Sequence, residues 1–226
     1  WYSRYYTGWS MFGISVKGQF AFPLMELISL VSLHSSFVAS GGEYRISVST
    51  LLLTLWTIHF GFRSFVYPFI RYIKPYPLEM IISAAIFHIP LGILNGVSLA
   101  ADCAGRLSSK FAIFLGVSMW ILGFSLNVHS DEVLRRLRLT PSDRDAYKIP
   151  PNCGLHRWLS SPNYSAEVFE WLGFSIASGM CPASISLFVW TCCNLIPRAI
   201  TNHMWYSKKF GGSYPKNRKI FIPFIW

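Results

Sequence analysis

Acidic residues are nearly absent from this sequence: Asp and Glu together number 10 in 226 positions, and charged residues of both signs make up only 13%. Soluble domains carry roughly 25% charge, so this chain cannot cover an ordinary water-exposed surface. No Gly-x-Gly-x-x-Gly run occurs, which excludes a dinucleotide held by a strand–turn–helix in the Rossmann manner. Cysteine is scarce too: the five are Cys103, Cys153, Cys181, Cys192 and Cys193, with no Cys-x-x-Cys spacing. They point neither to a zinc site nor to a disulfide framework, and read as small apolar fillers. The six histidines are dispersed, with His34, His59 and His88 in or near apolar stretches and His129 farther along, none paired at metal-ligand spacing. No repeat, low-complexity tract or linker divides the chain, so residues 1–226 are read as one transmembrane domain.

What is abundant is apolar and aromatic surface, 52% and 17% of the residues. Crossing a bilayer core of ~30 Å takes ~20 helical residues. Stretches of that kind fall at about 20–40, 46–70, 78–101, 111–133 and 180–206, with a shorter one at about 164–178. The expectation is an all-α, polytopic membrane helix bundle with six spans, the fifth and sixth forming a hairpin around Gly179 and Pro182. The net charge of +10 is then mainly a matter of topology, because Lys and Arg in short loops stay cytosolic. Arg4 and Lys17 precede the first span, and Arg71 and Lys74 follow the second. Arg135, Arg136, Arg138, Arg144, Lys148 and Arg157 follow the fourth, and Lys208, Lys209, Lys216, Arg218 and Lys219 the last. With six spans all of these share one side, and both chain ends are cytosolic. Their scatter among loops argues for membrane lipids rather than nucleic acid as the electrostatic partner. The chain opens at Trp1 without a methionine or a signal-peptide pattern, so one further span is expected upstream.

Three polar groupings stand out against this apolar background. Asn163, Glu167 and Glu170 recur at i, i+4 and i+7 and share one helix face, although acids inside a membrane are costly and mark sites. Asn127, Asp131, Arg135 and Arg138 recur in the same way at the end of the fourth span. Arg198, Asn202 and Tyr206 do so on the last. A helix leaving the membrane accounts for Arg135 and Arg136 but poorly for Asn127, and Arg198 could simply snorkel.

These residues lie in an ordered series of blocks: NVHSDEVLRRLR from Asn127, YKIP from Tyr147, Gly154-Leu155, SPNY from Ser161, EVFEWLG from Glu167, and Tyr206 with Lys208-Lys-Phe. YPKNRKIFIPF from Tyr214 closes the series. Upstream are HFGFRSFVY from His59 and KPYP from Lys74. The series resembles the membrane steroid 5α-reductases, NADPH-dependent enzymes that reduce the C4–C5 double bond of 3-oxo-Δ4-steroids, over nearly the whole chain. The family has seven spans, which agrees with six here and a missing first one.

The resemblance implies that Asn127, Asp131, Arg138, Tyr147, Asn163, Glu167, Glu170, Trp171, Arg198 and Tyr206 enclose NADPH between the last three spans and the cytosolic loops. Asn202 stands where the family often has His. Arg is well suited to the cofactor's phosphates, and Arg71 and Lys74 are close in topology. Around the substrate carbonyl the resemblance places Glu26 with Met25, Phe60 and Arg63. The family has a Gln-Glu pair and a Tyr there; this chain retains the carboxyl at Glu26 but has Met25 for the Gln and Phe60 for the Tyr. The more apolar pocket favours a neutral Glu26 and lacks a second donor for a developing enolate.

The implied activity is NADPH-dependent reduction of a carbon–carbon double bond in a steroid or related terpenoid enone drawn from the bilayer, with Glu26 as carbonyl polariser or proton donor. No obligate protein partner is expected, and the implied address is the endoplasmic reticulum membrane. Two alternatives stay open: a double-bond isomerase or skeletal-rearrangement enzyme on the same fold, and a catalytically silent sterol-binding membrane protein.

Overall fold

The computed structural model describes residues 11–71, 73–139 and 147–226, so the basic residues Arg4 and Arg144 lie outside the described residues. Among the described residues the regular structure is helical apart from one two-stranded ribbon and an isolated bridge. It divides into two compact units: one holds the chain as far as Ser108 together with Cys181–Ala183, the other Ser109–Met180 and Ser184–Trp226.

The first unit begins with β1 (Ser15–Val16), which pairs antiparallel with β2 (Tyr76–Pro77). Between them run α1 (Gly18–Ala39), α2 (Val48–Phe65) and the short α3 (Tyr67–Ile70); α4 (Leu78–Ala100) and α5 (Cys103–Leu107) follow. The ribbon pins the start of α1 beside the start of α4. Gly18 makes this possible, since a Cβ there would lie 2.3 Å from the carbonyl oxygen of Lys74. From that point α1 and α4 run parallel: Ser32 Oγ donates to the His88 carbonyl at 3.3 Å and Ser36 Oγ to the Gly92 carbonyl at 3.4 Å. Small residues at the crossing let the two backbones approach, as expected where lipid removes the hydrophobic drive between helices.

Ser47 caps α2 by accepting from the Thr50 amide at 3.1 Å. This helix runs back along α1, with His34 Nε2 and Thr57 Oγ1 2.9 Å apart near one end and Glu26 meeting Arg63 nearer the other. Ala21, Phe22, Met25 and Ile81 form a core under Tyr67 and Tyr76. Cys103 and Cys181 are joined as a disulfide, which corrects the expectation that they are unbonded filler. Their separation of 78 positions hid the pairing, because only folding brings the α4–α5 junction to the Cys181 turn.

The second unit contains α6 (Lys110–Arg136), α7 (Pro162–Ala177) and α8 (Pro182–Phe210). Ser109 caps α6 by accepting from the Ala112 amide at 3.1 Å. α6 and α7 pack antiparallel and very closely: a Cβ on Gly116 would lie 2.4 Å from the Gly173 carbonyl oxygen, and one on Gly123 2.7 Å from the Glu170 backbone. α7 ends in left-handed backbone at Gly179 and Met180, with φ of 68° and 57°, and Pro182 starts α8. Ser178 Oγ donates to Ser184 Oγ at 2.6 Å at this end, and Asn202 Nδ2 to Ser161 Oγ at 3.2 Å at the other, so α7 and α8 form the expected hairpin.

The chain end folds back over the start of α7. Leu159 bridges Lys219 in parallel, and the buried Arg218 donates from Nη2 to the Pro150 carbonyl at 2.6 Å and to Asn152 Oδ1 at 2.8 Å. Arg218 is thus interior, not one of the solvated loop cations that its basic run suggests.

Among the described residues four helices are long and apolar enough to cross a membrane: Gly18–Ala39, Leu78–Ala100, Lys110–Arg136, and α8 with the turn after it, Pro182–Ser213. Phe111 and Phe114 on α6 are 73% and 72% exposed, a surface suited to lipid. α2 and α7 are shorter, 18 and 16 residues, and carry the polar side chains described next.

Candidate active site

Within the first unit, Glu26 is 6% exposed in the middle of an apolar helix. Its Oε1 accepts from Arg63 Nη2 at 2.8 Å. Arg63 is reached because it follows His59 by four positions on α2, which places both on the face turned to α1. Its guanidinium also lies over the Phe22 ring at 5.1 Å, and Met25 and Phe60 are buried beside the pair. Arg63, expected in the same pocket, is thus the direct partner of the Glu26 carboxylate. A formal cation faces it, and His59 and His88 lie within electrostatic reach. His88 is anchored by Nδ1 on the Met25 carbonyl at 2.9 Å, and its ring meets Phe60 at 5.9 Å.

In the second unit the two predicted polar stripes meet. Asn127 Nδ2 donates to Glu167 Oε2 at 3.3 Å, and Asn163 Nδ2 to Asp131 Oδ1 at 3.2 Å. Antiparallel packing matches a stripe that descends α6 with one that ascends α7, giving two amide–carboxylate pairs one turn apart. The Asp131 carboxylate can only accept, which fixes the Asn163 amide with its nitrogen toward Asp131. Asn163 Oδ1 is then a buried acceptor without a hydrogen-bond partner. Glu170 is fully buried where Gly123 lets the α6 backbone come close.

Beyond the end of α6, Arg138 lies over the Tyr147 ring at 5.1 Å. Lys209 approaches the same ring at 4.9 Å and Trp205 at 5.0 Å, so two cations and two aromatic faces gather here. Tyr206 is buried, stacked on Tyr214 at 5.4 Å. Trp171 is buried against Phe174 at 5.6 Å, which reads as core packing. Arg198 stands one turn before Asn202 on α8 and is half-buried. Arg71 belongs to the first unit, where it donates to the Tyr67 hydroxyl.

Two residues escaped the sequence reading. Arg218 is 2% exposed, and its Nε and Nη1 have no hydrogen-bond partner. Its position inside a run of lysines disguised it. His156 donates from Nε2 to the Ser130 carbonyl at 3.2 Å. Burial, aided by the Arg218 cation, pushes its imidazole down to about 4, so it is neutral at physiological pH.

A family model described as 3-oxo-5-alpha-steroid 4-dehydrogenase matches residues 74–226. The 3-oxo-5-alpha-steroid 4-dehydrogenase 1 of Bos taurus is 37% identical over 230 residues, spanning 99% of this chain and 87% of that protein. Steroid 5-alpha-reductase DET2 of Solanum lycopersicum is 33% identical over 231 residues, spanning 100% and 87%. The Homo sapiens 3-oxo-5-alpha-steroid 4-dehydrogenase 2 is 37% identical over 179 residues, spanning 78% and 68%. This chain belongs to the 3-oxo-5-alpha-steroid 4-dehydrogenase family, oxidoreductases that act on CH–CH groups.

Proposed function

We propose that this chain is a multi-pass reductase of the endoplasmic reticulum membrane that saturates a carbon–carbon double bond conjugated to a ketone in a steroid or related terpenoid, using NADPH. The observation that carries this reading is the Asn163 amide. Its Nδ2 is committed to Asp131 at 3.2 Å while its oxygen, buried, has no partner. A buried acceptor left unmade costs about 1–3 kcal/mol, and a carboxamide N–H of a nicotinamide would satisfy it. Arg138 and Lys209 around Tyr147, with the two unpartnered nitrogens of buried Arg218, have the chemistry to hold a phosphorylated adenosine. Asn127, Glu167, Glu170, Arg198, Asn202 and Tyr206 complete the wall in this reading. When bound, the cofactor supplies hydride. The chain's part is to orient it, exclude water, and polarise the substrate ketone from the Glu26–Arg63 pair, in which the guanidinium is the donor, within a pocket lined by Met25 and Phe60.

The helix directions support six spans within one functional domain. α1 and α4 are parallel, so the chain crosses back between them, and α2 is the helix that does so. In the second unit Arg135 and Arg136 end α6, and Lys208 and Lys209 end α8, on the side where α7 begins. Placing that side in the cytosol puts the Cys103–Cys181 disulfide in the opposite, oxidising compartment.

The test is incubation of the purified full chain with NADPH and a panel of enones. NADPH consumed in step with a product two mass units heavier supports the reading; a product of unchanged mass replaces it with an isomerase. Glu26→Gln is expected to abolish turnover and leave NADPH binding intact.

A further inference from the structure

Saturating an enone takes a proton as well as a hydride, and the first unit poses the question of its source. Glu26 Oε1 is taken up in accepting from Arg63 at 2.8 Å, and a guanidinium does not give up its proton. Met25 and Phe60, packed beside them, carry no exchangeable hydrogen on their side chains. His88 touches both of these apolar residues, through the Met25 carbonyl at 2.9 Å and the Phe60 ring at 5.9 Å. A carbonyl oxygen only accepts, so the hydrogen on this bond sits on Nδ1, and Nε2 is the atom that gains and loses a proton. No hydrogen bond reaches Nε2 among the described residues. His88 keeps part of its surface open, whereas His59, the other imidazole here, is 1% exposed.

We propose that His88 is the proton donor of this site: its Nε2–H gives a proton to the substrate ketone oxygen as hydride reaches the β-carbon. The enol formed then tautomerises to the saturated ketone, and the neutral imidazole regains a proton from water. The sum is enone, NADPH and one proton giving ketone and NADP⁺. Glu26 of α1 lies within electrostatic reach of His88, so its carboxylate offsets the imidazolium charge, and Arg63 and His59 of α2 act on that same carboxylate. The assignment rests on the reductase reading above.

Two readouts decide it, using the full chain in vesicles. One is kcat and KM for a Δ4-3-ketosteroid across pH. The other is the pH dependence of the affinity, without turnover, for a steroid with a phenolic A ring, whose oxygen stands in for the developing enolate. His88→Gln is expected to lower kcat about 10²-fold with KM changed only severalfold, to lose the wild-type dependence of kcat on pH, and to flatten the pH dependence of phenol binding. His34→Gln, at the far end of α1 where the ring bonds Tyr44 and Thr57, is expected to retain all three wild-type behaviours. A His88→Gln protein with wild-type kcat and pH profile overturns the proposal, as does the appearance of the same effects in His34→Gln. So does a kcat loss no larger than the loss of folded protein measured by thermal unfolding. If no enone gives a heavier product, the reductase reading fails separately, and the phenol-binding arm still decides whether His88 is a proton donor to a bound oxygen.

Discussion

Glu26 of α1 and Arg63 of α2 form an ion pair at 2.8 Å, with side chains 8% and 21% exposed, inside two predominantly apolar helices. The pair fixes the rotation of α2 against α1. Removing one partner of a buried pair costs about 3–5 kcal/mol because the other is left uncompensated, and partial exposure of Arg63 puts this case at the lower end. Arg63→Met is therefore expected to lower thermal stability in detergent more than the double change Glu26→Leu with Arg63→Met. Equal losses would show that the pair does not hold α1 to α2.

The closeness of α6 and α7 yields a second expectation. A Cβ on Gly123 meets the Glu170 backbone at 2.7 Å and one on Gly116 meets Gly173 and Ala177 backbone at 2.4 Å, where no side chain can rotate away. Gly123→Ala and Gly116→Ala should each cost about 1–3 kcal/mol through forced backbone shifts. Gly61 on α2 is the control, because a Cβ there meets nothing within 4 Å. Gly61→Ala should be neutral or stabilise by up to ~1 kcal/mol, as helix propensity and unfolded-state entropy dictate. Thermal unfolding of the three variants in one detergent separates these cases.

Asn163 is the position at which cofactor binding and stability separate. Asn163→Ser keeps a polar group but loses the oriented amide oxygen, and loss of a hydrogen bond of about 0.5–1.5 kcal/mol weakens NADPH affinity roughly 2- to 10-fold. Asn163→Asp places a second carboxylate against Asp131, and should weaken affinity further and make it salt-dependent. Tryptophan quenching on NADPH titration measures both. An Asn163→Ser protein with wild-type affinity would remove this amide from the nicotinamide wall.

Much of this arrangement was legible in the sequence, and the reason is periodicity. The Asn127–Asp131 and Asn163–Glu167 stripes are local at helical spacing, and antiparallel packing of α6 on α7 needs only to bring them together. Helix limits were read to within a few residues wherever Pro, Gly or Ser marks an end, as at Pro162, Gly179 and Ser109. What stayed hidden depends on contacts between distant segments. The Cys103–Cys181 bond, the Arg63 partner of Glu26 and the Arg218 clamp on Pro150 span 78, 37 and 68 positions. A residue's type does not announce such a partner: Arg218 reads as a loop cation until the chain end folds inward.

His156 gives the second unit a dependence on acid. Burial holds its imidazole at about 4 in the folded state against 6.5 for an ordinary histidine. The folded chain therefore binds fewer protons than the unfolded chain between these values, and stability rises with pH across that window. The contribution is fully present above about pH 6.5 and is lost as pH falls toward 4, on the order of 3 kcal/mol in all. His156→Gln, which can still donate toward the Ser130 carbonyl, should flatten the unfolding temperature between pH 4.5 and 6.5. An unchanged slope would assign the acid sensitivity elsewhere.

The disulfide supplies the last expectation, which tests topology and stability together. Closing a loop of 78 positions is worth about 2–5 kcal/mol when the constraint on the unfolded chain is counted. Cys103→Ser and Cys181→Ser should therefore each lower the unfolding temperature, and the double change should cost no more than either alone, because one bond is lost in all three. Cys153 is a free, exposed thiol on the loop before α7, the side read here as cytosolic. In sealed microsomes an impermeant maleimide should label Cys153 directly. Cys103 and Cys181 should react only after permeabilisation and reduction together. Labelling of Cys103 in sealed, unreduced vesicles would reverse the orientation, since a thiol free on that face cannot be both bonded and lumenal.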